Sequence, residues 1–188
     1  MGRNTLYRIL LALCILLAPA APSNADGGLG GWTDGRDAGV FLCRADFRLD
    51  DSEPLFQELA QLQEDLVQSL GIRPAAERIQ IYLFRNQANH RRFLAARFPS
   101  VPYRRALYIK GDGPGMVFAF YGPQFDVDLR HECTHALLHA ALPMVPLWLD
   151  EGIAEYFETA RTQRASGHAN LSGTRWSSRF GVVPSLER

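Results

Sequence analysis

His131, Glu132 and His135 fall within five residues, His131-Glu132-Cys133-Thr134-His135. The surrounding pattern predicts a helix from Asp126 to Ala141, ended by Pro143. Side chains four apart on a helix share one face, about one turn along it. Two imidazoles placed in this way can converge on one zinc ion at about 2.0–2.1 Å. Glu132 lies beside them, positioned to take a proton from water activated there. Leu129, Cys133, Thr134, Ala136 and Leu137 are uncharged, as the back of a buried helix requires, and Arg130 is the near exception.

Two histidines leave such a site incomplete, because a catalytic zinc has three protein ligands and one open position. His139 is four residues beyond His135 but eight beyond His131. Eight residues span about 12 Å of straight helix, too far for both ends to reach one ion with His135 between them. His139 therefore reads as a supporting or core histidine. The better third ligand is Glu151, in the stretch Trp148-Leu149-Asp150-Glu151-Gly152-Ile153-Ala154-Glu155-Tyr156-Phe157-Glu158. That stretch predicts a second helix, about Leu149 to Arg161, which a Pro-containing turn folds back on the first. Glu155, one turn further, is placed to accept the N–H of a ligand histidine and fix its tautomer. Glu158 reads as a surface charge, and Trp148, Leu149, Ile153 and Phe157 as the buried side.

HECTH followed by WLDEGIAEYFE resembles the gluzincin zinc metallopeptidases, in particular the compact peptidase-MA-like families. The close match runs from about Leu129 to Glu158. The resemblance implies His131, His135 and Glu151 as zinc ligands, Glu132 as general base and Glu155 as a supporting carboxylate. It also implies a zincin-like fold and a strand at the edge of the cleft that pairs with an extended peptide or protein substrate. Met116–Tyr121 precedes the motif helix and is expected to be that strand, with Phe118, Phe120 and Tyr121 shaping apolar subsites or packing in the core. Three features depart from the family pattern. The spacer from His135 to Glu151 is short, and no Gly-x-Met-Glu-Asn amine anchor is present, which favours an endopeptidase over an aminopeptidase. Gluzincins also place a Tyr or His donor for the oxyanion downstream; after Glu155 only Tyr156 and His168 are of those types. A zinc-binding domain that recognises an envelope component or a partner without cleaving it is the alternative reading.

The elements that must position these residues read as α+β: a small mixed or antiparallel sheet with packed helices, followed by the two zinc-site helices. Phe41, Cys43, Ala45, Phe47 and Leu49 alternate with charged residues, the mark of a half-buried strand. Asp50-Asp51-Ser52 and Pro54 open a helix carrying Leu55, Leu59, Leu62, Leu66 and Leu70, and Gly71 ends it. Ile79, Ile81 and Leu83 mark a strand, and Asn86 caps a helix running to about Phe98. Ala106–Lys110 and Met116–Tyr121 read as a hairpin across a Gly- and Pro-rich turn. Cys43 and Cys133 both fall on apolar faces, as two buried thiols or as a bridge.

The chain has 188 residues, 47% apolar, with 20 basic and 20 acidic side chains. That composition excludes a disordered chain, and the neutral balance provides no field for nucleic acid. Arg91, Arg92 and Arg97, with the single aromatic Phe93 among them, read as a solvated helix face. At the N-terminus, Arg3 and Arg8 precede an apolar run from Ile9 to Ala18 and the small residues Ser23-Asn24-Ala25. This is the order of a secretory signal peptide. Residues 1–25 are therefore expected to be removed, which leaves 18 basic and 20 acidic side chains, a balance of −2, in a periplasmic or extracellular compartment. No other run is apolar enough to span a membrane. Residues 26–39 read as a leader without firm structure, 40–161 as the domain and 162–188 as a tail.

Overall fold

The computed structural model describes residues 31–164. The expected signal segment and His168 lie outside the described residues. The architecture is α+β, with one five-stranded mixed sheet and four α-helices. The strands are β1 (Asp34–Ala38), β2 (Phe41–Ala45), β3 (Ile79–Phe84), β4 (Ala106–Ile109) and β5 (Met116–Phe120). The helices are α1 (Glu53–Leu70), α2 (Gln87–Arg97), α3 (Phe125–Ala141) and α4 (Leu147–Phe157). The order across the sheet is β1-β2-β3-β5-β4. The three inner strands run parallel, and the outer strands β1 and β4 are antiparallel to their neighbours.

Alternation along the inner strands decides which helix covers which face. Ile79, Ile81, Leu83, Val117 and Ala119 point to the face covered by α1 and α3, where they meet Leu59, Leu62, Leu129 and Leu137. Tyr82, Phe84 and Phe118 point to the other face, where Leu94 and Phe93 of α2 close over them. The apolar stripe of α1 is buried through Leu55, Leu59, Leu62 and Leu66. The helix ends where Gly71 takes φ +65° and returns its N–H to the Val67 carbonyl, the left-handed cap that glycine adopts without penalty. The Asn86 side chain accepts the Asn89 N–H at 3.0 Å and starts α2. Cys43 and Cys133 are both buried and free, and burial pushes both thiols up.

Three expectations about the elements are corrected. Residues 34–38, expected to be part of an unstructured leader, form β1 and pair residue by residue with β2. Only one of the five is buried, so this edge strand has no apolar alternation to reveal it. Trp32, just before it, packs its ring on Tyr82, Phe84 and Phe93. Gly39 turns the β1–β2 hairpin at φ +60°, and a Cβ there would stand 2.9 Å from the Ala60 carbonyl oxygen. The packed domain also continues past residue 161: Arg164 is buried against Phe157 and pairs with Asp65 of α1. Finally, α4 starts two residues early and Trp148 is 76% exposed rather than buried. Pro146 is the extended residue before the helix, and Leu147 beside Trp148 in its first turn is exposed as well. No described helix is long and apolar enough to cross a membrane.

Candidate metal centre

The motif helix α3 lies between the sheet and α4. Its Leu129, Cys133, Ala136, Leu137 and Leu138 are buried, which aims the opposite face at α4. Four-residue spacing then brings the rings of His131 and His135 to a centroid separation of 4.8 Å, with their Nε2 atoms 3.1 Å apart. The turn through Pro143 and Pro146 folds α4 back over this face. Glu151 Oε2 comes to 3.6 Å from His131 Nε2 and 3.7 Å from His135 Nε2.

These three atoms form a triangle of the right size for a single ion. Donors about 2.0–2.1 Å from a tetrahedral zinc lie about 3.3 Å from one another. The set of two imidazoles and one carboxylate leaves a fourth position open, as catalytic zinc sites do. The geometry therefore fits a metal ion of this kind.

Carboxylates on α4 orient both rings. His135 Nδ1 donates to Asp150 Oδ1 at 2.8 Å, and His131 Nδ1 donates to Glu158 Oε2 at 2.9 Å. With each Nδ1 engaged as a donor, each Nε2 keeps its lone pair free for an ion placed between the two rings and Glu151. Asp150 is buried, and its other oxygen accepts His139 Nε2 at 2.8 Å. His135, His139 and Asp150 also lie close enough to form a second metal-binding group. A neutral His135 has only one lone pair, however, and Nε2 carries it. The 2.8 Å contacts are therefore hydrogen bonds that brace the first group.

Glu132 stands between α3 and β4. Burial raises its carboxyl above the usual range, an effect opposed by the His135 and His131 rings and by the Tyr108 backbone N–H, which donates to it. Tyr108 is on β4, so this outer strand directs its free backbone edge at the site. A cavity of about 400 Å³ opens beside His131 and Glu132, bounded by Arg105, Gln124, Asp128 and Glu158. The Arg105 guanidinium grips Asp128 with two bonds, at 2.6 and 2.7 Å.

His131, Glu132, His135 and Glu151 are thus brought together as the spacing implies. Other residues are placed differently. Glu155 is exposed, and the position beside a ligand histidine expected for it is taken by Glu158, which the sequence suggested was a surface charge. Four residues from Glu151 carry a side chain about 40° round the helix and a full turn away; seven bring it back to the same line. Seven is also the spacing that reaches His131, which lies nearer the end of α4.

Tyr156 is five residues from Glu151, on a different side of α4, and its ring sits against Phe157. Phe118 is 1% exposed and stacks on Tyr82 on the face of the sheet away from the site. Phe120 packs on that same face, against His90. Tyr121 is exposed between Phe47 and Phe125. The expectation that Met116–Tyr121 edges the cleft is therefore corrected: β5 is an interior strand between β3 and β4, and β4 is the edge. Asp150 and Tyr108 were missed. Asp150 adjoins the expected ligand in sequence and was open to notice; the role of Tyr108 depends on which hairpin strand is outermost, which no local pattern states.

No protein-family model matches the chain, and no curated protein matches it.

Proposed function

We propose that the chain is an exported zinc metallopeptidase of gluzincin type that cleaves peptide bonds within proteins or peptides. The observation that carries this reading is the triangle of His131 Nε2, His135 Nε2 and Glu151 Oε2, with sides of 3.1, 3.6 and 3.7 Å, beside the half-buried carboxyl of Glu132. The signal-like N-terminus supports export, and the missing amine anchor supports internal cleavage.

His131, His135 and Glu151 would hold the ion. The chemistry supplied by a bound zinc is Lewis acidity, which polarises a carbonyl and makes water a nucleophile at neutral pH. Glu132 takes the proton of the attacking water and hands it to the leaving amine. Its partial burial suits this work, because a carboxyl with a raised affinity for protons is a better base. The Tyr108 N–H keeps that carboxyl aimed at the site. The outer edge of β4 offers backbone groups to an extended substrate by strand addition. The cavity beyond His131 receives a side chain flanking the scissile bond.

A second reading, a zinc-binding domain without turnover, draws on the position of Tyr156 away from the three donors. One experiment separates the two. Protein prepared without chelators is analysed for metal, and wild type and Glu132→Ala are compared on unfolded protein substrates. The peptidase reading expects about one zinc per chain in both, with the variant slower by about 10²–10⁴-fold, the usual contribution of a general base. Zinc without cleavage by either protein favours the binding domain, and a variant as active as wild type removes Glu132 from the mechanism.

A further inference from the structure

Arg130 immediately precedes the first ligand histidine and is buried, at 7% exposure. Its guanidinium reaches two other helices. Nε donates to the Glu158 backbone carbonyl at 2.7 Å, and Nη1 donates to Glu58 Oε2 of α1 at 3.2 Å. The same Glu158 holds His131 Nδ1 through its side chain, at 2.9 Å. One residue therefore receives Arg130 on its backbone and orients His131 with its carboxylate.

Physical chemistry explains why an arginine is buried at this point. The carbonyls of the last turn of a helix have no partner within it and carry the negative end of its dipole. Glu158 caps α4, and its carbonyl is one of these. A guanidinium has donors in a fixed fork and can satisfy that oxygen and a carboxylate at once. Arg164 performs a similar task nearby, donating to the Thr159 carbonyl at 3.0 Å while paired with Asp65 of α1. Both arginines fasten the end of α4 to α1. Arg130 in addition fastens the residue whose side chain touches a ligand ring.

We propose that Arg130 is a positioning residue for the metal centre, seating Glu158 so that its carboxylate fixes the ring of His131. This rests on the metal-binding reading above. His135 is held separately, by Asp150 at the other end of α4, so loss of Arg130 acts on one ligand of the three. The Glu58 carboxylate completes the link by keeping the guanidinium neutralised and in place.

The test uses the full chain. Zinc affinity is measured by chelator competition for wild type, Arg130→Gln, Glu158→Gln and the double variant. Each single variant is expected to bind zinc about 10–100-fold more weakly, as for other losses of ligand support. The double variant should fall little further, because Arg130 acts through Glu158. Unchanged affinity in Arg130→Gln, or fully additive losses, overturns the proposal. Arg130→Lys, which keeps the charge but not the fork, should recover only part of the loss.

If Arg130→Gln does not fold, Glu58→Gln loosens the same guanidinium with both helix ends intact and should weaken zinc binding several-fold; no change overturns the proposal. A metal-free measurement separates the two layers of argument. In nitrogen NMR the His131 ring should be protonated at Nδ1 in wild type and shift to a mixture of tautomers in Arg130→Gln. Failure of wild type to bind zinc removes the metal reading, whereas an unshifted tautomer removes the Arg130 link by itself.

Discussion

On one face of the sheet, α1 and α3 pack aliphatic side chains against Ile79, Ile81, Leu83 and Val117. On the other, α2 closes over a cluster of rings, with Phe118 stacked on Tyr82 at 5.1 Å and Phe93 against Phe84 at 5.1 Å. The two faces treat their polar residues in opposite ways. The first gathers three histidines and four carboxylates at its rim, and each of the three rings has one nitrogen hydrogen-bonded to a carboxylate. The second buries one histidine, His90, among Phe84, Tyr103 and Phe120, and its Nε2 has no hydrogen-bond partner among the described residues. A polar group can be kept oriented for chemistry where carboxylates hydrogen-bond it. Where rings surround it, burial favours its neutral form. The contrast separates a face whose rim gathers titratable groups, that of α3, from a face of packed rings, that of α2.

Substitutions on each face can break that division. The largest effect on stability is expected from Phe118→Ala, which empties the centre of the ring cluster. Truncating a buried Phe costs about 3–5 kcal/mol, read in a denaturant titration. The zinc affinity of the protein that remains folded should not change, and a parallel loss of both would merge the two faces into one unit.

Next in size is Asp150→Asn on the site face. Asp150 accepts from His135 and His139 at once, and an amide has only one oxygen for two donors. Zinc affinity is expected to fall about 10–100-fold. An unchanged dissociation constant would show that His135 needs no such support.

A smaller effect concerns pH on the ring-lined face. Burial lowers the His90 pKa from 6.5 to about 4. Between those values the unfolded chain takes up a proton at this position and the folded chain does not. His90 therefore contributes its full stability above about 6.5, and that contribution is lost as pH falls towards 4. In His90→Leu the slope of stability against pH in this window should be shallower than in wild type; an identical slope would mean that His90 titrates normally.

The smallest effect is expected at Trp148. With 76% exposure, Trp148→Ala should change stability by no more than about 0.5 kcal/mol. A loss of several kcal/mol would return Trp148 to the core, where its place in the sequence first suggested it belonged.

The fold was most legible where burial on one face imposes a period. Leu55, Leu59, Leu62 and Leu66 announced α1, and Ile79, Ile81 and Leu83 announced β3, because each has one apolar side to hide. Asp34–Ala38 announced nothing, because β1 is held by backbone pairing to β2 and leaves most of its side chains outside. The site shows the same division. His131, Glu132 and His135 are related by a spacing within one helix, and Glu151 by a second motif close behind. The supporting carboxylates were half misread: seven residues, not four, carry a side chain from Glu151 back along α4 to His131, so Glu158 takes the place expected for Glu155.

The amino-acid sequence by itself determined the α+β class, the two facing histidines, the neighbouring glutamate and the turn that returns a third donor to them. Helical spacing and the backbone limits of proline act over a few residues, so they can be read locally. Only the tertiary structure decided that β4 rather than β5 is the edge strand and that Trp148 stays outside. It alone decided that the end of α4 is secured by Arg130 from α3 and Arg164 from beyond the helix, both paired with carboxylates of α1. Those outcomes depend on partners up to 99 positions apart. Such contacts form only when separate elements have packed, and no local period records them.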